Sequence, residues 1–266
     1  MKFTVEEKSI DGNENVPIAV VETKRFNKHN KPMSPNRKII YYTDDDEGLD
    51  SYFAEKGEVI YPIPFLTKGQ RVCVSVSGAS GVGKSTMCAR LIDEVTKIDK
   101  EINGTAVFTS AVELDPALEK LKNICLIDIP NSMETATIED MRNMIGLFDD
   151  FGFNPNPQCN VFLHHYLGSL LERSRKLHCH LIVASHDQRS YNKTKLLNLE
   201  SQSFVVFPTN QSESTKILKD YLGFNRHQIE YSMNIKNGRF TYIYVSRVPF
   251  YLISQDRIVM INTIKK

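Results

Sequence analysis

Eight consecutive residues constrain this chain more than any others: Gly78-Ala79-Ser80-Gly81-Val82-Gly83-Lys84-Ser85. They satisfy every fixed position of the phosphate-binding pattern G-x-x-x-x-G-K-[ST]. The flanks that pattern needs are also present. Before it runs RVCVSVS (71–77), rich in β-branched residues; after it, residues 85–98 place Met87, Leu91, Ile92 and Val95 at helical spacing. A strand, a glycine loop and a helix in that order predict a cradle for a nucleoside triphosphate. Gly78, Gly81 and Gly83 are expected to take positive φ and turn backbone N–H groups inward. Those amides, with Ala79, Ser80 and Val82 completing the loop, hold the β- and γ-phosphates at the helix N-terminus. Lys84 reaches the same phosphates, the Ser85 hydroxyl ligates Mg2+, and Thr86 reaches the α-phosphate.

After residue 70 strand-like and helix-like segments alternate. Residues 106–109, 124–128, 145–148, 180–184 and 204–207 read as strands, and 240–245 and 257–261 as late ones. Residues 161–176 read as a long amphipathic helix. Further helices are expected at 116–121, 213–222 and 137–144, the last capped by Thr135 or Thr137. This alternation predicts an α/β fold, a mostly parallel sheet with helices on both faces. Residues 1–66 differ: short strands at 16–22 and 37–42, a basic polar stretch with two prolines between them (24–36), and an acidic turn at 44–47. The expected organisation is a small β-rich N-terminal portion, 1–66, and a nucleotide-binding domain, 67–266.

A triphosphate bound with Mg2+ needs a carboxylate from a neighbouring strand end. Asp128 qualifies, and so does the pair Asp149-Asp150 after MIGLF (144–148). The pair is favoured because adjacent acids can divide the labour, Asp149 in the metal shell and Asp150 polarising the attacking water. A third strand, HLIVA (180–184), ends in Ser185 and His186. Either can read the γ-phosphate and pass its state to residues 187–195, which carry three basic residues, amides and Tyr191. That mixture suits a nucleic-acid backbone, and a plain solvated loop accounts for it equally well. Arg173 and Arg175, near the end of the long helix, are candidates for an arginine finger across a subunit interface; cations there also complement the helix dipole. Cys159, His164, His165, His178, Cys179 and His180 lack the paired spacing of zinc sites, and no zinc is expected.

Composition adds bounds. With 41% apolar and 24% charged residues the chain reads as an ordinary soluble globular protein, without a run of 18 apolar residues or a basic, apolar leader, so no membrane partner is expected. Five cysteines without close pairing suit a reducing compartment. Lys and Arg number 33 against 32 Asp and Glu, far from the basicity of a nucleic-acid coat protein, but a motor that grips DNA transiently needs only a local patch.

The order of these segments resembles the viral DNA-packaging ATPases of the FtsK–HerA superfamily, found in large double-stranded DNA viruses. The resemblance runs over about residues 70–262. It rests on the phosphate loop, the strand ending in Asp149-Asp150, LERSRKL (171–177), HLIVASH (180–186), NLES (198–201), FVVFP (204–208), and RFTYIY (239–244) with Pro249. It implies a RecA-like ATPase core in a homo-oligomeric ring, often hexameric, which uses ATP to drive double-stranded DNA into a capsid and docks on a capsid or portal protein. It also implies a place in the host cytoplasm or a viral factory, or with the virion. By the same resemblance Asp149 and Asp150 match the second nucleotide motif, His186 the polar sensor, and Arg175 a recurring arginine before the sensor strand. Two positions depart from the pattern: Ser174-Arg175-Lys176 stands where viral members commonly have Gly-Arg-His, and Asp150 where many motors have Glu. Two rivals share the phosphate loop. A small-acceptor kinase would add an arginine-rich lid, which is not found. A guanine-nucleotide switch would need N/T-K-x-D, and NKTK (192–195) lacks the final Asp.

Overall fold

The computed structural model describes residues 2–6, 15–26, 32–43, 49–67, 69–111, 113–150, 154–186, 191–208, 211–234, 238–246 and 250–264. The acidic turn at 44–47, residues 187–190 of the basic segment and Pro249 lie outside them. By compactness the chain forms two units: Met1–Phe65 together with Val205–Lys266, and Leu66–Phe204. This division crosses the chain once beside the boundary expected at 66/67 and a second time at Phe204/Val205.

The first unit opens with β1 (Lys2–Glu6), β2 (Val16–Phe26), β3 (Pro32–Thr43), β4 (Ser51–Phe53) and β5 (Glu58–Pro62). Four of these make an antiparallel sheet in the order β1-β3-β2-β5. The stretch 24–36 is not a connector: β2 and β3 run through most of it, paired as far as Phe26 opposite Pro32.

Leu66–Phe204 holds β6 (Cys73–Ser77), α1 (Lys84–Ile98), β7 (Gly104–Thr109), β8 (Ile124–Leu126), α2 (Ile129–Ser132), β9 (Met144–Asp149), α3 (Pro157–Leu177), β10 (His180–Ser185) and α4 (Tyr191–Glu200). Its strands are parallel, in the order β6-β10-β9-β7-β8. α1 carries the chain from β6 out to β7, and α3 carries it back from β9 to β10. Right-handed crossovers in opposite directions put the two helices on opposite faces. The register agrees. Phe108, Phe148 and Val183 share one face and pack with Leu163, Tyr166, Leu167 and Leu170 of α3. Val74, Val107, Leu147 and Ile182 share the other. Strands buried on both faces read as continuous apolar runs, as RVCVSVS and HLIVA do. The rings of Phe108 and Phe148 stack at 4.5 Å, and Tyr166 lies 5.5 Å from Phe108 while its hydroxyl donates to the Thr137 carbonyl.

Three local expectations change. Residues 116–121 are turns, with Leu118 N–H bonded back to the Asp115 carbonyl and Leu121 N–H to Leu118. Residues 137–144 keep one 3₁₀ turn, Ile138–Met141, because Asn143 takes φ 55° and Met144 already begins β9. The segment 191–195, expected as loop, is the start of α4, whose Leu196 and Leu197 pack against the α3 cluster. Among the described residues no helix is long and apolar enough to cross a membrane.

β11 (Ser203–Val206) crosses the division. Beyond it, in the first unit, α5 (Gln211–Lys216) continues as a π-helical turn to Tyr221, followed by α6 (Arg226–Met233), β12 (Thr241–Tyr244), β13 (Tyr251–Ser254) and β14 (Arg257–Met260). β12, β13, β14 and β4 pair in that order, antiparallel. β13 was not foreseen in the sequence, and the late strands do not continue the parallel pattern. They sit on a core of Leu218, Phe224, Ile243, Leu252, Val259 and Ile261.

Candidate nucleotide site

The C-terminal ends of β6, β10, β9 and β7 reach one edge of the parallel sheet, where Ser185 pairs with Ser77, and Asp149 pairs with both Ala184 and Thr109. Crevices outside the carboxyl ends of parallel strands are where open α/β sheets bind ligands. A cleft of about 580 Å³ lies there, lined by Ser80, Gly81, Gly83, Lys84, Ser85, Thr86, Asp149, Asp150 and His186. Four segments far apart in sequence thus meet at one place.

The loop between β6 and α1 turns as glycine permits. Gly81 has φ 75° and Gly83, the N-cap of α1, φ 105°. Gly78 is not among the positive-φ glycines, so the expectation fails there; its carbonyl instead accepts a hydrogen bond from Lys84 Nζ at 3.1 Å, and the Ala79 carbonyl accepts another at 3.2 Å. The buried lysine is thereby held over the loop. α1 begins at Lys84 without an acid in its first turn or a side-chain cap, leaving its N-terminal amides for an anion.

Period-2 alternation puts Asp149 on the sheet face that α1 covers, the face of Leu147 and Val107. Ser85 Oγ donates to Asp149 Oδ2 at 3.5 Å. Burial pushes the Asp149 carboxyl up to about 6, and the neighbouring charge of Asp150 adds to the rise while Lys84 opposes it. Asp150 takes φ 48°. Its backbone N–H bonds to the Ala184 carbonyl, and its own carbonyl accepts from Ser110 Oγ at 3.0 Å. Asp150 Oδ2 lies 2.8 Å from His186 Nε2, while Oδ1 is buried with no hydrogen-bond partner.

His186 joins the two halves. Its Nδ1 is 3.1 Å from Lys84 Nζ and its Nε2 3.4 Å, the nearer nitrogen being the one not engaged with Asp150. An ammonium only donates, so Nδ1 accepts, and Nε2 carries the proton that is given to Asp150. The order of donation is Lys84 to His186 to Asp150. The donor set fits a magnesium–triphosphate: a hydroxyl beside a carboxylate for the metal, a buried ammonium, left-handed glycines at a helix N-terminus, and an orphaned buried carboxylate oxygen.

The other candidates fall elsewhere. Asp128 is the N-cap of α2, accepting from the Asn131 backbone at 3.4 Å and side chain at 2.6 Å. Arg173 pairs with Glu139 at 3.1 Å. Arg175 is exposed in the last turn of α3, just before β10 begins, and so lies at the edge of the sheet opposite the cleft. Ser174 between them is buried and accepts from Arg71, whose guanidinium also donates to the Leu171 carbonyl and pairs with Glu200. Ser110, Glu113 and Asp115, on the segment after β7, line the cleft and were not foreseen. Two acids and a serine directly after a strand were the available signal.

Of the described residues that were weighed for zinc, His178 and His180 do cluster, with Asp99. Both donate to Asp99 Oδ2, at 2.6 and 2.9 Å. The Val72 N–H, however, donates to His180 Nδ1 at 2.9 Å, which leaves the proton on Nε2. A metal would need that nitrogen bare, so the cluster does not fit one.

No protein-family model matches the chain. It is 26% identical over 226 residues to uncharacterized protein V3 of Sputnik virophage, covering 80% of this chain and 89% of that protein. The pCW3 conjugation coupling protein TcpA, solved as a monomer with ATPγS, superimposes over 91% of this chain and 77% of its own, with 11% identity and a TM-score of 0.53. The genome-packaging NTPase B204 of Sulfolobus turreted icosahedral virus 2 covers 70% of this chain and 98% of its own at 12% identity, with a TM-score of 0.46, too slight a likeness to argue from. In fold, then, the chain is a P-loop ATPase-type α/β protein with a β-rich N-terminal part, as its resemblance to the FtsK–HerA group implied.

Proposed function

We propose that this chain binds ATP with Mg2+ in the cleft, hydrolyses it, and uses the energy to translocate double-stranded DNA during viral genome packaging. The observation that carries hydrolysis is the convergence of Lys84, His186 and Asp150 in one hydrogen-bonded series beside Ser85 and Asp149. Residues 78–86 hold the phosphates. Ser85 and Asp149 would hold Mg2+, which when bound neutralises charge developing on the phosphate oxygens. Lys84 stabilises the same charge. Asp150 orients a water through Oδ1, its acceptor without a partner. His186 keeps Asp150 in place and couples it to Lys84. Arg175 of a neighbouring copy would supply the arginine finger in a homo-oligomeric ring, because within one chain it lies at the far sheet edge.

The DNA and packaging parts draw on two supports: similarity to a virophage protein, and a shared fold with a conjugation coupling protein. They also carry a place in an infected cell, in its cytoplasm, a viral factory or the virion, and a capsid or portal partner. The test is the ATP hydrolysis rate of the oligomer with and without double-stranded DNA. Stimulation by DNA is expected. Turnover that responds to a small acceptor instead would favour a kinase, and slow turnover indifferent to both would favour a switch.

A further inference from the structure

The described lining of the nucleotide cleft includes no residue of the basic stretch at 24–36. β2 and β3 pair as far as Phe26 opposite Pro32, but their outer neighbours stop earlier. β5 pairs with β2 only over Ala19–Thr23, and β1 pairs with β3 only over Ile39–Thr43. Residues 24–26 and 32–36 therefore form a two-stranded ribbon that, among the described residues, runs past both flanking strands. Inside it the register shifts: Ser34 and Pro35 oppose Lys24 alone, between the pairs Thr23–Asn36 and Arg25–Met33. Pro35 has no N–H for the ladder, and such bulges sharpen the twist of a ribbon.

The charge of this element is one-sided. From Thr23 to Thr43 there is no Asp or Glu, while the ribbon carries Lys24 and Arg25, with Arg37 and Lys38 at its base, in a chain of net charge +1. The basal pair is already partly balanced, Lys38 by Glu58 at 3.1 Å and Arg37 by Glu22 at 3.9 Å. Met33, Pro35, Asn36 and Arg37 are exposed. The major groove of duplex DNA, about 12 Å wide, admits a two-stranded β-ribbon, and Lys and Arg contacts to phosphates position such an element without reading sequence.

We propose that the β2–β3 ribbon is a DNA-binding arm that lies in a groove of double-stranded DNA, with Lys24 and Arg25 on the phosphates. It shares with the proposed function only the identity of the partner. Lysine, proline and bulges also blunt exposed sheet edges against pairing, and that role would leave DNA affinity untouched.

The test is fluorescence anisotropy of a labelled random-sequence duplex with the full chain across a salt series. K24A/R25A should weaken binding by about 10-fold or more at low salt and flatten the log–log salt slope by about 2, near 0.9 per lost phosphate contact. K24E/R25E should weaken it further, and K24R/R25K should retain it. Melting temperature and basal ATP hydrolysis should match the wild type in all three. If the wild type binds duplex and the alanine and glutamate variants, folded, bind with the same affinity and slope, the ribbon is not the arm, and the translocase reading stands. If the wild type binds no DNA, both fall. A preference for single strands over duplex overturns the groove assignment.

Discussion

The parallel sheet carries a carboxylate–histidine cluster at each end, and the two have opposite character. At the C-terminal edge Asp149 and Asp150 crowd each other beside His186. At the N-terminal edge Asp99, at the end of α1, accepts from His178 and His180. The hydrogen bond from His180, reinforced by that from His178, holds the Asp99 carboxyl well below the usual carboxylate range. Burial and a like charge hold Asp149 well above it. One cluster is satisfied: the Val72 N–H leaves His180 a single tautomer, and Asp99 links α1 to the start of β10. The other is left under-compensated, with a buried oxygen on Asp150 that nothing binds. Identical residue types therefore yield a satisfied structural clamp or an under-compensated cluster, the latter the one proposed for the chemistry, according to whether the donors match the acceptors.

The contrast breaks most sharply at Lys84. Lys84→Ala should lower ATP turnover about 1000-fold, with a melting temperature near that of the wild type, since it removes charge stabilisation rather than core. Unfolding of this variant would place Lys84 with the structural cluster. Asp150→Asn comes next, about 100-fold or more in turnover, because an amide is a poor base. Wild-type rates would remove Asp150 from the proposed chemistry.

At the other edge the effect should move to stability. Asp99→Ala leaves the buried His180 Nε2–H unpaired and should cost about 3 kcal/mol in chemical denaturation, with turnover retained under folding conditions. Asp149→Asn should do the reverse. A carboxyl with a raised folded pKa favours the folded state while protonated, below pH about 4, and loses that advantage as pH rises through about 6. With chelator and no nucleotide, the variant should be more stable than the wild type at pH 8, by up to about 3 kcal/mol, and nearly equal to it at pH 4. Equal stability at both values would mean that the site is better solvated than its geometry indicates. The smallest effect belongs to His178→Ala, about 1 kcal/mol, because that histidine is half-buried and water can replace its bond to Asp99. A larger loss there would make the outer histidine the principal partner of Asp99.

Much of the reactive edge was legible because its parts are strand ends. RVCVSVS, MIGLF and HLIVA are apolar runs that stop at polar residues, and the residues after each stop project from one edge of a parallel sheet. The clamp was not legible. His178, His180 and Asp99 appear in sequence as unrelated polar residues, and Asp99 merely ends a helix. Helices were overread at 116–121 and 137–144, where apolar spacing was right but the segments are too short to propagate beyond a turn. The acids at 113 and 115 were passed over because they belong to no strand or helix pattern.

By itself the sequence determined the local chemistry of the phosphate loop, since positive φ at Gly81 and Gly83 and a lysine at the helix start are properties of adjacent residues. It also determined the α/β class, through apolar runs that must be buried on both faces. Only the tertiary structure decided that β10 lies between β6 and β9, and so that His186 stands between Lys84 and Asp150. Strand order depends on crossover direction and on which faces the helices cover. Those are contacts between residues more than a hundred positions apart, such as Lys84 and His186, which no local pattern encodes.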